Sequence, residues 1–294
     1  MSGAGSTWDN SAALYVGYEG TGLLTINSGA IANVGNFFSL GELDAGTSTA
    51  NVSGTVDVPT GDSFVGNLGD GTLTISAGGM VSNVAGRIGN ASGTTGAATV
   101  TGARCTWTNS DLLEVGNHGA ATLQVLDGGV VTNNAGLIIA SFSNSNSMMT
   151  VDGVGSNLNN AGHIHVGSQG VGTLTINNGG TVSATQIDFI GTAEGSGTLT
   201  VDGIASSWTS ESLYITGTVS QGSSGAGTLN INSGTVTVAN TIKLRGGATL
   251  SLDGGNLTTG SFINTSGGTF NFASSAESVG QQNLHNGPVT WAAD

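Results

Sequence analysis

The side chains able to do chemistry are few in this chain of 294 residues: one Cys, four His, and four Lys plus Arg against eighteen Asp plus Glu, for a net charge of −14. A nucleophilic Cys needs a basic partner to lower its pKa. Arg104 adjoins Cys105, but no His recurs near that position, and Cys105 aligns with Ser6, Ser156 and Ser206. It reads as a Ser replacement. His163 and His165 flank Ile164 and share an outward face. Two imidazoles fall short of a metal's usual three or four ligands, and no carboxylate stands at a fixed spacing from them. His118 lies in a corner that elsewhere holds Glu19 and Gln169, and His285 is near the C-terminus. Asp127, Asp152, Asp202 and Asp253 each precede Gly, as in calcium-binding repeats, but the tandem nonapeptide pattern is missing. Asn178 and Thr101 take the same turn position, so these side chains read as turn formers.

Acid–base chemistry fares no better. Glycoside cleavage needs two carboxylates flanking one bond. Asp188 and Glu194 are near in sequence, yet one falls in an apolar strand and the other in a loop. Arg87, Arg104, Lys243 and Arg245 are too few to assemble a lyase base with an oxyanion stabiliser. The expectation is a protein without catalytic residues, metal or cofactor.

Ring-bearing and hydroxyl side chains offer binding instead. Trp8, Trp107 and Trp208 invite sugar stacking, but Leu158, Ile31, Val81, Val131 and Val182 align with them. A position that accepts Ile, Val, Leu and Trp is a core position. Tyr15 and Tyr214 alternate with apolar neighbours and point outward, and Glu114 and His165 share that column as an exposed polar stripe. Thr72, Thr74, Thr173, Thr175, Thr198, Thr200 and Thr228 form outward Thr-x-Thr pairs, interrupted by Asn51, Ala97, Gln124, Met148 and Asn230. Such an array is a candidate ice-binding surface, and high β-propensity alone also accounts for it.

These side chains sit on a repeat. Val52-Ser53-Gly54, Val100-Thr101-Gly102, Val151-Asp152-Gly153 and Val201-Asp202-Gly203 recur at 48, 51 and 50 residues. Ile26, Ile75, Val125, Ile176 and Ile231 form a second series, whose last gap is widened by a Gly/Ser-rich insertion at 218–226. Small residues after an apolar pair, from Gly17 and Gly41 through Ala140 to Gly217 and Gly246, set a half-unit of about 25 residues. Each half-unit carries three short strand signals separated by Gly, Asn, Asp and Ser. Strict alternation in Thr173-Leu174-Thr175-Ile176 puts Leu and Ile on one face.

A unit of this size cannot bury its own apolar face, but a stack can. The sequence predicts an all-β, right-handed single-stranded parallel β-helix of about 10–12 coils over residues 1–272, a rod on the order of 50 Å long. Residues 273–294 lose the repeat and read as a tail or partial cap. Composition agrees. Gly makes up 52 of the 294 residues, where about 7% is usual, and charged residues are 7%. Gly in quantity disfavours helices. Four basic residues argue against nucleic acid and anionic membranes. No apolar run approaches the roughly 18 residues of a membrane span.

The set Gly-Thr-Leu-Thr-Ile-Asn-Asn-Gly-Gly-Thr-Val (172–182), Phe-Ile-Gly (189–191), Gly-Thr-Leu-Thr-Val-Asp-Gly (197–203) and Ser-Ser-Trp-Thr (206–209) resembles bacterial autotransporter passenger repeats. The resemblance covers residues 1 to about 260. It implies a β-helix displayed outside the cell as an adhesin or stalk, and names no ligand beyond a host-surface or matrix glycan or protein. Polysaccharide-active β-helix enzymes share the architecture, which makes such an enzyme the alternative beside ice binding. Met1 stands seven residues before Trp8, as Val100 does before Trp107, so the chain starts in register within a repeat. With no signal peptide in the first residues, this predicts a segment of a longer exported protein. An unshielded first coil then predicts end-to-end self-association, opposed by the charge of −14.

Overall fold

The computed structural model describes residues 1–43, 46–219, 225–265 and 267–272, with backbone alone for 273, 278–279, 282–284 and 289–291. Every strand pairing is parallel, and no helix occurs among the described residues. One coil shows the plan. A first strand, Thr106–Asn109, turns a two-residue corner into a second strand, Leu112–Val115. A Gly-containing loop leads to a third strand, Ala120–Leu126, and Asp127-Gly128-Gly129 turns the chain into Val130–Asn133 of the next coil. Third strands stack into one 12-stranded sheet, and first and second strands share a 22-stranded sheet. In two coils the first and second strands run on without interruption, as Thr235–Leu244 and Asn256–Asn264. The molecule is a parallel β-solenoid.

Period-two alternation sends one set of side chains inward, and parallel in-register pairing stacks them in columns. Leu73, Leu123, Leu174, Leu199 and Leu229 lie in one such column, all fully buried. Between them stand Ala98 and Met149. The tryptophan column is also a core column, with Trp107 and Trp208 at 0% exposure. Trp8, in the first coil with a paired strand on one side, is 38% exposed. One assignment moves by a residue: Ala32, not Ile31, pairs with Trp8. Ile31 pairs with Thr7 and Thr55 and points outward. A one-residue slip reverses faces, and Ala32 with Val34 fills the inward places here.

Leaving the second strand, the chain needs a left-handed residue. At Gly167 φ is +72°, and a Cβ there would lie 2.1 Å from the carbonyl oxygen of Ser196. Ala140 (φ 58°) and Thr216 (φ 63°) hold the same conformation without being glycine. In the ninth coil the left-handed corner thus starts one residue before Gly217, and in the tenth it falls on Gly247 rather than Gly246. Cys105 is buried, and its Sγ accepts the Gly78 N–H at 3.2 Å. Ser156 accepts from Gly128 and Ser206 from Gly179, each at 3.0 Å, so the thiol does the work of the repeat's Ser.

Of the insertion at 218–226, residues 220–224 lie outside the described residues. Most of 273–294 does too, although the backbone of 278–279 and 282–284 pairs with Asn256–Asn264 and that of 289–291 with Thr269–Ala273.

Candidate binding face

The three outer faces differ in chemistry. The first strands present small polar pairs such as Thr106/Thr108, Thr181/Ser183 and Ser207/Thr209. The third strands present threonine. Thr72, Thr173, Thr198 and Thr228 share one outward column, joined by Thr49, Thr122, Thr249 and Thr269 and broken by Ala97 and Met148. Thr74, Thr175 and Thr200 share the neighbouring column with Thr25, Thr99 and Thr150, broken by Asn51, Gln124 and Asn230. All these threonines point outward and are half-buried by the coils above and below. Sequence reading reached seven of them. The others sit in coils whose local sequence departs from Thr-Leu-Thr-Ile, and only strand register exposes them.

The second strands are different. Their outward column runs Tyr15, Ser39, Phe64, Arg87, Glu114, Ile138 and on through His165, Phe189, Tyr214 and Lys243. Rings cluster along it. Tyr15 meets Tyr18 edge-on at 5.1 Å and Phe37 at 5.3 Å, and Phe37 meets Phe64 at 6.1 Å. The Arg87 guanidinium lies 5.6 Å from the Phe64 ring centroid. A second group follows, with His165 at 4.6 Å from Phe189, Phe189 at 5.9 Å from Tyr214, and Arg245 at 5.9 Å from Tyr214.

Tyr15, Glu114, His165 and Tyr214 do share an outward column, but it is not the exposed stripe that alternation predicts. Glu114 is 8% exposed and Phe189 7%. Arg87 Nε donates to Glu114 at 3.1 Å and Ser141 Oγ donates to its other oxygen at 3.0 Å. The same guanidinium bonds Asp62. Burial works to lower the Arg87 pKa, but the two carboxylates outweigh it and raise it. His163 and His165 lie 6.2 Å apart on the outward face. Burial, then the neighbouring His163, lowers His165 to about 4, so it is neutral at physiological pH. No group of three or more His, Cys, Asp or Glu that could hold a metal occurs among the described residues.

The corner between first and second strands shapes this face. Where the two strands are separate, its length varies from Glu211 alone to the four residues Pro59–Asp62. Where Pro59–Asp62 stacks on Gly35–Phe37, a cavity of about 350 Å³ opens, lined by Asn36, Phe37, Glu42, Thr60, Gly61, Asp62, Phe64 and Asn67. Gly61 is required there, because a Cβ would lie 1.2 Å from the Asn36 carbonyl oxygen. A second cavity, of about 310 Å³, lies further along the rod between Arg87, Asp111, Leu112, Ile138, His163 and His165. Beside the column an amide ladder runs coil to coil: Asn117 donates to Asn90, Asn90 to Asn67, and Asn67 to Glu42.

The remaining acidic candidates separate. Asp188 points inward between Ile164 and Leu213, fully buried, while Glu194 is exposed in a loop. Asp127, Asp152 and Asp202 serve turns: Thr101 donates to Asp127, Asn178 to Asp152, and Ser233 and Gly203 to Asp202. Those last two bonds hold Asp202 below the usual carboxylate range. Asp253 is exposed beside Gly254.

No family model matches the chain, and no curated protein does. Among solved structures, it is similar to the crystal structure of a TibC-catalyzed hyper-glycosylated TibA fragment, residues 55–350. Identity is 14%, coverage is 96% of this chain and 97% of that one, and the TM-score is 0.40.

Proposed function

We propose that this chain is a non-enzymatic, β-helical passenger segment displayed outside a bacterial cell, and that it acts as an adhesin or stalk. Its partner is a host-surface or matrix glycan or protein, not nucleic acid, and the segment does not insert into a membrane. The observation that supports this reading is the segregation of side chains. The first-strand and third-strand faces carry mainly short polar residues, whereas the second-strand face gathers rings and both ion pairs of Arg87. Contact sites concentrate aromatic and Arg side chains in this way. A rod of stacked coils supplies reach and a rigid scaffold.

Beads coated with the chain should adhere to matrix-coated or epithelial surfaces above beads coated with an unrelated acidic protein. Incubation with those glycans should release no new reducing ends. Equal retention of both bead types, or glycan breakdown, would oppose this reading. End-to-end association of rods belongs to the same proposal, tested by sedimentation at rising salt.

The threonine face supports a second reading, ice binding. Thr72, Thr173, Thr198 and Thr228 stand beside Thr74, Thr175 and Thr200 in two adjacent columns of one sheet. Thermal hysteresis tests it, and its absence at millimolar protein would remove it.

A further inference from the structure

We propose that the cavity at Phe37 and Phe64 holds a pyranose ring of an uncharged polysaccharide that runs along the rod axis. This rests on the adhesin reading and names the chemistry of its ligand. A pyranose has apolar C–H faces and a rim of hydroxyl donors. Phe37 and Phe64 supply half-buried ring surface, set edge to face and 6.1 Å apart. Glu42, Asp62, Thr60 and Asn67 supply polar groups around those rings. Sugar-binding sites pair an apolar wall with a few placed polar groups in this manner.

Both carboxylates are held in place before any ligand arrives. Glu42 accepts from Ser39 Oγ at 2.5 Å and from Asn67 Nδ2 at 2.8 Å, both on one oxygen. That leaves its other oxygen for a ligand hydroxyl. Asp62 accepts from the Ala85 N–H at 3.1 Å and from Arg87. Fixed acceptors cost little ordering on binding.

Charge selects among glycans. Of the two carboxylates lining the cavity, Asp62 is paired with Arg87, while Glu42 has only neutral donors and no ion-pair partner among the described residues, in a chain of net charge −14. A sulfated or carboxylated polymer would meet like charge at contact distance, where screening by salt is weakest. An uncharged chain meets no such cost. Direction follows from the fold. The rings of Tyr15, Phe37 and Phe64 follow one another in three successive coils, at about 4.8 Å per coil. That spacing offers a contact to each successive sugar of an extended polymer along the axis.

Affinity electrophoresis of the full chain through gels containing hydroxyethylcellulose, laminarin, yeast mannan or heparin tests this. The expected result is retardation by at least one neutral polymer and none by heparin. Phe64→Ser and Phe37→Ser should each reduce that retardation at least tenfold in association constant, while Thr132→Ala, on the first-strand face, leaves it unchanged. Equal circular dichroism melting of the variants separates lost contact from lost fold. Retardation by heparin alone, no retardation by any neutral polymer, or full binding by both Phe variants would overturn the proposal. If bead adhesion persists while the neutral gels show nothing, the ligand assignment fails and the adhesin reading stands.

Discussion

Trp107 donates its indole N–H to Asn83 Oδ1 at 2.7 Å, and Trp208, in the same core column, has no acceptor for its own. Register explains the difference. Asn83 ends the first strand of the coil before Trp107, and Ala184 ends the first strand of the coil before Trp208. Asn83 in turn donates to Asn109, and Asn109 to Asn133, in a buried amide ladder. Ala184 has nothing to offer.

Ala184→Asn should therefore stabilise the protein by about 1 kcal/mol, since it satisfies a buried donor that is costly to leave unpaired. Asn83→Ala should destabilise by about 1–3 kcal/mol for the converse reason. Urea denaturation reads both. An unchanged midpoint in Ala184→Asn would show that the orphan N–H costs nothing.

Asp188 gives a pH dependence with a definite sign. It is fully buried next to Ile164 and Leu213 in its column, with Leu137 and Leu113 in the coils beyond Ile164. Burial pushes its pKa well above the usual carboxylate range, against the lowering influence of Ser210 and of the Ile164 N–H. The folded protein thus holds this proton more tightly than the unfolded chain does. The contribution is fully present below the unfolded pKa of about 3.9 and is lost as pH rises toward the folded value. Asp188→Leu should raise the melting temperature more at pH 7 than at pH 4. A gain that is the same at both would show that Asp188 titrates normally.

Cys105→Ser should leave stability within about 0.5 kcal/mol of the parent, because a hydroxyl accepts the Gly78 N–H as Ser156 accepts that of Gly128. Cys105→Val should cost about 1–3 kcal/mol by stranding that donor. Thermal melts of the pair discriminate between an acceptor role and mere filling of space.

Leu174→Ala should destabilise by about 2–5 kcal/mol, the usual cost of an emptied core site. Leu174 is fully buried, between Met149 and Leu199 in its column. Chemical denaturation checks the value, and a cost below about 1 kcal/mol would mean that neighbouring coils collapse into the gap.

The third strand was legible because its alternation is strict and its neighbours repeat: Leu174 and Thr175 stand where spacing puts them, and so does Cys105 in the turn that follows a third strand. The second-strand face was not. Tyr15, Phe64, Phe189 and Tyr214 share one column, yet the corner before them ranges from one residue to four, so no fixed period links them. Phe37, Asp62 and Arg87 come from three different coils and meet only through stacking. Ile31 departs from the repeat for a related reason. Ala32 fills the inward place beside Trp8 but is too small to mark a core position in the sequence, whereas the larger Ile31 next to it carries the apolar signal while pointing outward.

The most direct test compares the three faces against one surface. Three multiple variants would replace outward residues only: Tyr15, Phe64 and Tyr214 by Ser on the second strands; Thr108, Thr132 and Thr181 by Ala on the first; Thr173, Thr175 and Thr198 by Ala on the third. Each would be coated on beads at equal density, and adhesion to the surface that retains the parent would be counted. The account predicts at least a tenfold loss for the second-strand variant and parent-like adhesion for the other two, at matched melting temperatures. Parent-like adhesion by the second-strand variant, or loss confined to the threonine face, would contradict it.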